Sequence, residues 1–168
     1  MELWDAYLPD GRMAGQTLRR DDPIPDGLYH LVSAVLVKHT DGSYLIMQRD
    51  FNKRYFPGLL EAGASGAVQQ GETPYTAALR ELEEETGIHT DSLTFVFAAN
   101  NLYQAIIYYY ICLTDCPKDS VTLQAGETIA YQWMSEADFR RLLSAPQQTD
   151  GKPWRWLPYL EQITAFQG

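Results

Sequence analysis

Apolar residues arrive in this chain as short runs divided by turn residues, and three stretches repeat at helical spacing instead. Tyr29 to Lys38 is rich in β-branched residues and predicts a buried strand. Asp41-Gly42 makes a tight turn into a second strand, Tyr44 to Arg49. Leu93 to Ala99, Gln104 to Leu113 and Ile129 to Met134 predict three more. Ahead of them, Leu3 to Leu8 ends on the turn residues Pro9-Asp10-Gly11 and predicts a short N-terminal hairpin. Residues 21–27 form a loop by composition, as does the polar segment from Asn52 to Gly58.

The first helical stretch is well punctuated. Thr73 suits an N-cap, Pro74 the first helical position, and Gly87 a stop that tolerates positive φ, so the helix runs from Pro74 to Thr86. Tyr75, Ala78, Leu79 and Leu82 fall at i, i+3, i+4 and i+7 and predict one apolar face. Glu81, Glu84 and Glu85, at i, i+3 and i+4, converge on a second face. Ser135 caps a second helix over Glu136 to Leu143, with Glu136 and Asp138 in its first turn. A last helix over Trp154 to Phe166 places Trp156, Leu157, Leu160 and Ile163 on one face. Strands around a central helix, with helices closing the chain, give the α/β class.

Composition narrows the class of function. At 168 residues the expectation is a single domain over 1–168, with residues 1–28 as N-terminal hairpin and loop. A net charge of −9 argues against nucleic-acid binding, which needs a basic face. No apolar run resembles a signal peptide or approaches the ~20 residues of a membrane span, so no membrane partner is expected. Cys112 and Cys116 lack partner ligands and read as two reduced thiols, which points to the cytoplasm.

The acidic helix carries the chemistry. Three close carboxylates repel one another, and hard oxygen ligands grouped this way suit Mg²⁺ or Mn²⁺. A bare acidic run is more often a solvated helix face, so the flanking residues decide. Gly66, Glu72, the Arg80-Glu81 pair, Leu82, the Glu84-Glu85 pair, Gly87 and Ile88 stand at fixed distances over residues 66–88. This resembles the Nudix box, G-x5-E-x7-R-E-U-x-E-E-x-G-U with U a bulky aliphatic, at all nine specified positions. Chance yields such a match on the order of once in 10⁹ registers.

The resemblance implies a mixed β-sheet sandwiched between α-helices, and metal-dependent hydrolysis of a small-molecule diphosphate. It implies Glu81 and Glu84 as metal-binding and catalytic glutamates, with Glu85 and the backbone carbonyl of Ser65 as further metal ligands. Glu72 and Arg80 are expected to pair, Gly66 and Gly87 to be structural. Arg49 matches a cation facing the substrate phosphates, with Lys53 and Arg54 as further candidates. Glu127 stands in a loop where many members place an extra metal ligand or general base. The resemblance also leaves room for a homodimer.

The likeness extends to Glu2-Leu3-Trp4-Asp5, Tyr29-His30-Leu31-Val32, Gln48-Arg49 and Phe56-Pro57-Gly58, which look like the branch related to isopentenyl-diphosphate isomerase. Trp4 and His30 fit core packing equally well. The isomerases place a catalytic Cys and a metal-binding His just before the box, where residues 60–67 have neither. ADP-ribose enzymes of the family carry a Pro where this chain has Tyr103, which is equally suited to packing in the sheet. A hydrolase is the favoured reading, a non-catalytic ligand-binding module the alternative. The missing thiol argues against isomerase activity.

Overall fold

The computed structural model describes residues 1–54, 56–100, 103–145 and 154–168. An antiparallel hairpin of β1 (Leu3–Tyr7) and β2 (Met13–Arg19) precedes the main sheet. That sheet contains β3 (His30–His39), β4 (Tyr44–Arg49), β5 (Leu60–Ala62), β6 (Ala64–Ala67), β7 (Thr94–Asn100), β8 (Ala105–Thr114) and β9 (Thr128–Met134). The helices are α1 (Pro74–Thr86), α2 (Glu136–Ser144) and α3 (Leu160–Ala165).

β3 organises the sheet. Along one edge it pairs in parallel with β8 from His30↔Ala105 to His39↔Thr114. Its other edge is divided: Val32 to Val35 pair with β6, and Lys38 pairs with Tyr44 of β4. β4 carries β5 on one side and β9 on the other, and β7 closes the far edge beside β8.

Both faces of the sheet are covered, which is why its central strands read as continuous apolar runs. On β3, β4 and β8, alternate residues enter opposite cores. Leu36, Ile46 and Ile111 pack with Phe139 and Leu143 of α2 and with Leu160 and Ile163 of α3. Val35, Val37, Leu45, Met47 and Cys112 pack with Ala78 and Leu82 of α1. Each fully buried aliphatic chain contributes roughly 1.5–3 kcal/mol. Polar ties position the helices: the Ser33 hydroxyl donates to the Pro74 carbonyl at 2.6 Å, holding the start of α1 on β3. Lys38, only 4% exposed, donates to the carbonyls of Thr164 and Phe166 at 2.7 Å each and of Ile163 at 3.4 Å.

The predicted strands and the first two helices stand within a residue or so of their expected bounds. Four features differ. The segment before α1, for which no element is predicted, holds two short strands: β5 joins β4 and β6 joins β3, with Gly63 (φ 72) between them. A Cβ at Gly63 would overlap the Val35 carbonyl, so only glycine lets the chain pass this close. The last helix begins at Leu160, after a 3₁₀ turn over Leu157–Tyr159. Pro158 supplies no N–H, and it disfavours helical geometry at Leu157. On α1, Tyr75 is exposed and the buried face is Ala77, Ala78, Leu82, Glu85 and Thr86. Tyr103 stands in an exposed turn before β8, not in the sheet.

Candidate active site around the acidic helix

α1 starts where the sequence places its cap. The Thr73 hydroxyl accepts from the Thr76 N–H at 3.1 Å, and the Thr76 hydroxyl accepts from the Thr73 N–H at 3.0 Å. Gly87 ends the helix at φ 71 with its N–H on the Glu83 carbonyl at 2.9 Å. Arg80 ties the helix to the preceding loop. Its Nε and Nη2 donate to the two oxygens of Glu72 at 2.8 and 2.9 Å, and Nη2 also reaches the Ala67 carbonyl at 3.1 Å. Nη1 donates to Glu81 at 2.6 Å and to Glu84 at 3.3 Å. The guanidinium holds the Glu72 carboxyl below the usual range, and the carboxylates raise the Arg80 pKa in turn.

The spacing predicts that the three box glutamates converge on one face; in the structure they differ in exposure. Glu84 is exposed beside Arg80, whereas Glu85 continues the buried stripe of Ala78 and Leu82 and is 3% exposed. One residue apart is about 100° around the helix, enough to part Glu84 from Glu85. Glu81 is turned towards β6, and its carboxyl group fills the space a side chain at Gly66 would take. The Ser65 N–H donates to Glu85 Oε2 at 3.0 Å. Burial pushes Glu81 up, opposed by Arg80. Burial pushes Glu85 up too, and the neighbouring Glu61 charge adds to it.

The structure brings Arg49 to the same place. Its Nη1 donates at 2.9 Å to Glu61 Oε2, which also accepts from the Ser65 hydroxyl at 3.3 Å. The expectation of Arg49 as a phosphate-facing cation therefore meets a carboxylate partner already in contact. Lys53 pairs with Glu127, and the Asp50 N–H bonds the Glu127 carbonyl at 2.8 Å, tying the loop after β4 to the start of β9. Glu127 is thus an ion-pair partner as well as a candidate base. Arg54 is exposed. His30 stacks on Trp4 with centroids 4.3 Å apart, and burial pushes its imidazole down to about 4, which fits core packing.

A model of the NUDIX domain matches residues 28–160, a span that contains every one of these site residues. The chain belongs to the Nudix hydrolase family. An uncharacterized Nudix hydrolase of Listeria monocytogenes is 29% identical over 146 residues, covering 86% of each chain. An isopentenyl-diphosphate Delta-isomerase of Citrobacter koseri is 27% identical over 142 residues, covering 80% of this chain and 75% of the relative. The crystal structure of DR0079 from Deinococcus radiodurans shares the Nudix fold at a TM-score of 0.73 and 19% identity, covering 96% of this chain and 99% of that one.

The Nudix box carboxylates suit a divalent cation by their chemistry. They are hard oxygens, partly withdrawn from water, and Glu61 Oε1 is buried with no hydrogen-bond partner. Among the described residues no three acidic, His or Cys side chains are gathered closely enough to hold a metal as they stand. Glu81 and Glu84 lean on Arg80, Glu85 on Ser65 and Glu61 on Arg49. Glu61 is the site residue that pattern reading missed. Its only signal is a charged residue set among small apolar ones, which spacing cannot distinguish from a surface position.

No helix among the described residues is long and apolar enough to cross a membrane. An open cleft of about 410 Å³, lined by Asp41, Lys118, Trp133 and Glu136, lies where β4 begins, at the other end of that strand from Arg49.

Proposed function

We propose that this protein hydrolyses the diphosphate linkage of a nucleoside diphosphate derivative or another small diphosphate, with Mg²⁺ or Mn²⁺. The observation that carries this reading is the packing of Glu81 and Glu85 against Gly66 and Ser65, which holds two box carboxylates in a partly dry pocket. A divalent cation bound there supplies charge neutralisation for phosphoryl oxygens and lowers the pKa of a water. Glu81, Glu84 and Glu85, with the Ser65 carbonyl, are the residues that would hold it. Arg80 fixes Glu81 through its own clamp on Glu72, which keeps the carboxylate oriented as charge builds on the substrate. Burial raises the proton affinity of Glu81 and Glu85 in the metal-free protein, so a cation held there competes with protons. Arg49 and Lys53 are cations near an otherwise acidic site, and Glu127 is a candidate base next to Lys53.

Relatives named as isomerases favour a second reading, and the residues here argue against it. Ser65 stands in the segment where the thiol belongs. Cys112 is buried in β8, with its thiol pushed up to about 11. Phosphate release from nucleotide sugars, nucleoside triphosphates, ADP-ribose and prenyl diphosphates, with Mg²⁺ or Mn²⁺, tests the proposal. Turnover of at least one is expected. Metal binding without turnover of any would leave a ligand-binding module.

A further inference from the structure

One carboxylate at this site comes from outside the box. Glu61 is the middle residue of β5, paired with Met47 of β4. Its Oε2 is engaged twice, by Arg49 Nη1 at 2.9 Å and by the Ser65 hydroxyl at 3.3 Å. Its Oε1 is closed off from solvent and accepts from no donor among the described residues. Ser65 bridges the two acids, its hydroxyl on Glu61 and its N–H on Glu85 Oε2 at 3.0 Å.

Arginine–carboxylate pairs are frequently two-pronged, because the fork geometry favours two parallel bonds. The Glu72–Arg80 pair in this same chain is of this kind, with each Glu72 oxygen within 2.9 Å of a guanidinium nitrogen. Arg49 meets only one oxygen of Glu61, and the second is left buried without a donor. A buried carboxylate oxygen without a donor is costly, and a cation or a proton relieves that cost. Among the described residues the donors on these two carboxylates are the Arg49 guanidinium and the neutral hydroxyl and N–H of Ser65, with the Lys53 charge acting on both from further away.

We propose that Glu61 is a further carboxylate of the metal centre, presenting Oε1 to the divalent cation while Oε2 stays on Arg49 and Ser65. The inference rests on the metal-dependent reading given above. It adds a ligand from β5 to those from α1 and makes the Arg49–Glu61 pair a positioning device for that oxygen.

Mn²⁺ binding to the metal-free protein, followed by titration calorimetry and by the paramagnetic resonance signal of free Mn²⁺, tests it without reference to substrate. Glu61→Gln keeps shape and removes charge. It should weaken Mn²⁺ binding on the order of 10-fold or more, at unchanged circular dichroism. Glu85→Gln is the comparison. If Glu85→Gln loses Mn²⁺ and Glu61→Gln binds it like wild type, Glu61 is only the partner of Arg49 and the inference fails while the metal-dependent reading stands. If neither changes Mn²⁺ affinity, both fail. Should Glu61→Gln not fold, Glu61→Asp keeps the charge and shortens the reach by one methylene. Weakened Mn²⁺ binding in that variant supports the inference, and wild-type affinity overturns it.

Discussion

Gly66→Ala isolates geometry from charge at the proposed site. An added Cβ falls on the Glu81 carboxyl group, well inside the 3.4 Å at which ordinary contact begins. The carboxylate must retreat by more than an ångström. Gly66 does not occupy the left-handed region, so the backbone accepts alanine, and the obstructing atoms are the far end of a flexible side chain. Pushing Glu81 off its rotamer costs about 0.5–1.5 kcal/mol. Alanine returns about 0.4–1 kcal/mol by restricting the unfolded chain. Stability should therefore change by less than about 1 kcal/mol. Turnover should not be spared, since a misplacement of about 1 Å in a catalytic constellation costs on the order of 10²-fold. Urea melts in EDTA give the stability, and phosphate release at saturating Mg²⁺ gives the rate. A Gly66→Ala protein with wild-type turnover would show that the position of Glu81 against β6 has no bearing on the reaction. A protein destabilised by several kcal/mol would show that the space belongs to packing, not to the carboxylate.

Four further outcomes are expected. Glu85→Gln should lower turnover by roughly 10²-fold. A carboxylate whose folded pKa is raised stabilises the fold at low pH and loses that contribution as pH rises through the folded value. Metal-free wild type should therefore lose stability above the ordinary carboxylate range, and thermal melts in EDTA should show Glu85→Gln flattening that decline; a parallel decline in the variant refutes the assignment. Arg80→Ala should cost about 1–3 kcal/mol in urea melts and also slow turnover, because Glu72, Glu81 and the Ala67 carbonyl lose a shared donor; a stable, active variant would exclude that role. Incubation with isopentenyl diphosphate and Mg²⁺ or Mn²⁺ should yield no dimethylallyl isomer above the enzyme-free blank, since no thiol stands before the box to protonate carbon.

α1 was legible to the residue because Thr73, Pro74 and Gly87 each carry their own local reason to be where they are. β3, β4 and β8 were legible because strands covered on both faces are apolar throughout. β5 and β6 were not, being three or four residues of mostly small side chains whose strand character comes from β4 and β3, distant in sequence. The residue types of the site were readable and their directions were not. Glu85 had a signal available: Ala78, Leu82 and Glu85 fall at i, i+4 and i+7, which marks it as a buried carboxylate. Glu61 had only its charge among apolar neighbours, since its meaning depends on Arg49 and Ser65 arriving from neighbouring strands.

The contact of Lys38 with the end of α3 has a bearing on solution conditions. Surface pairs such as Arg140 with Glu161 weaken in acid, when the carboxylate takes a proton, and in concentrated salt, when both charges are screened. The acceptors of Lys38 are backbone carbonyls, which do not titrate, and the ammonium is shielded from counter-ions. The carbonyls at a helix C-terminus also present the negative end of its dipole. The C-terminal helix is thus held to β3 by a tie indifferent to acid and brine, and the ion pairs around it can come and go without releasing it.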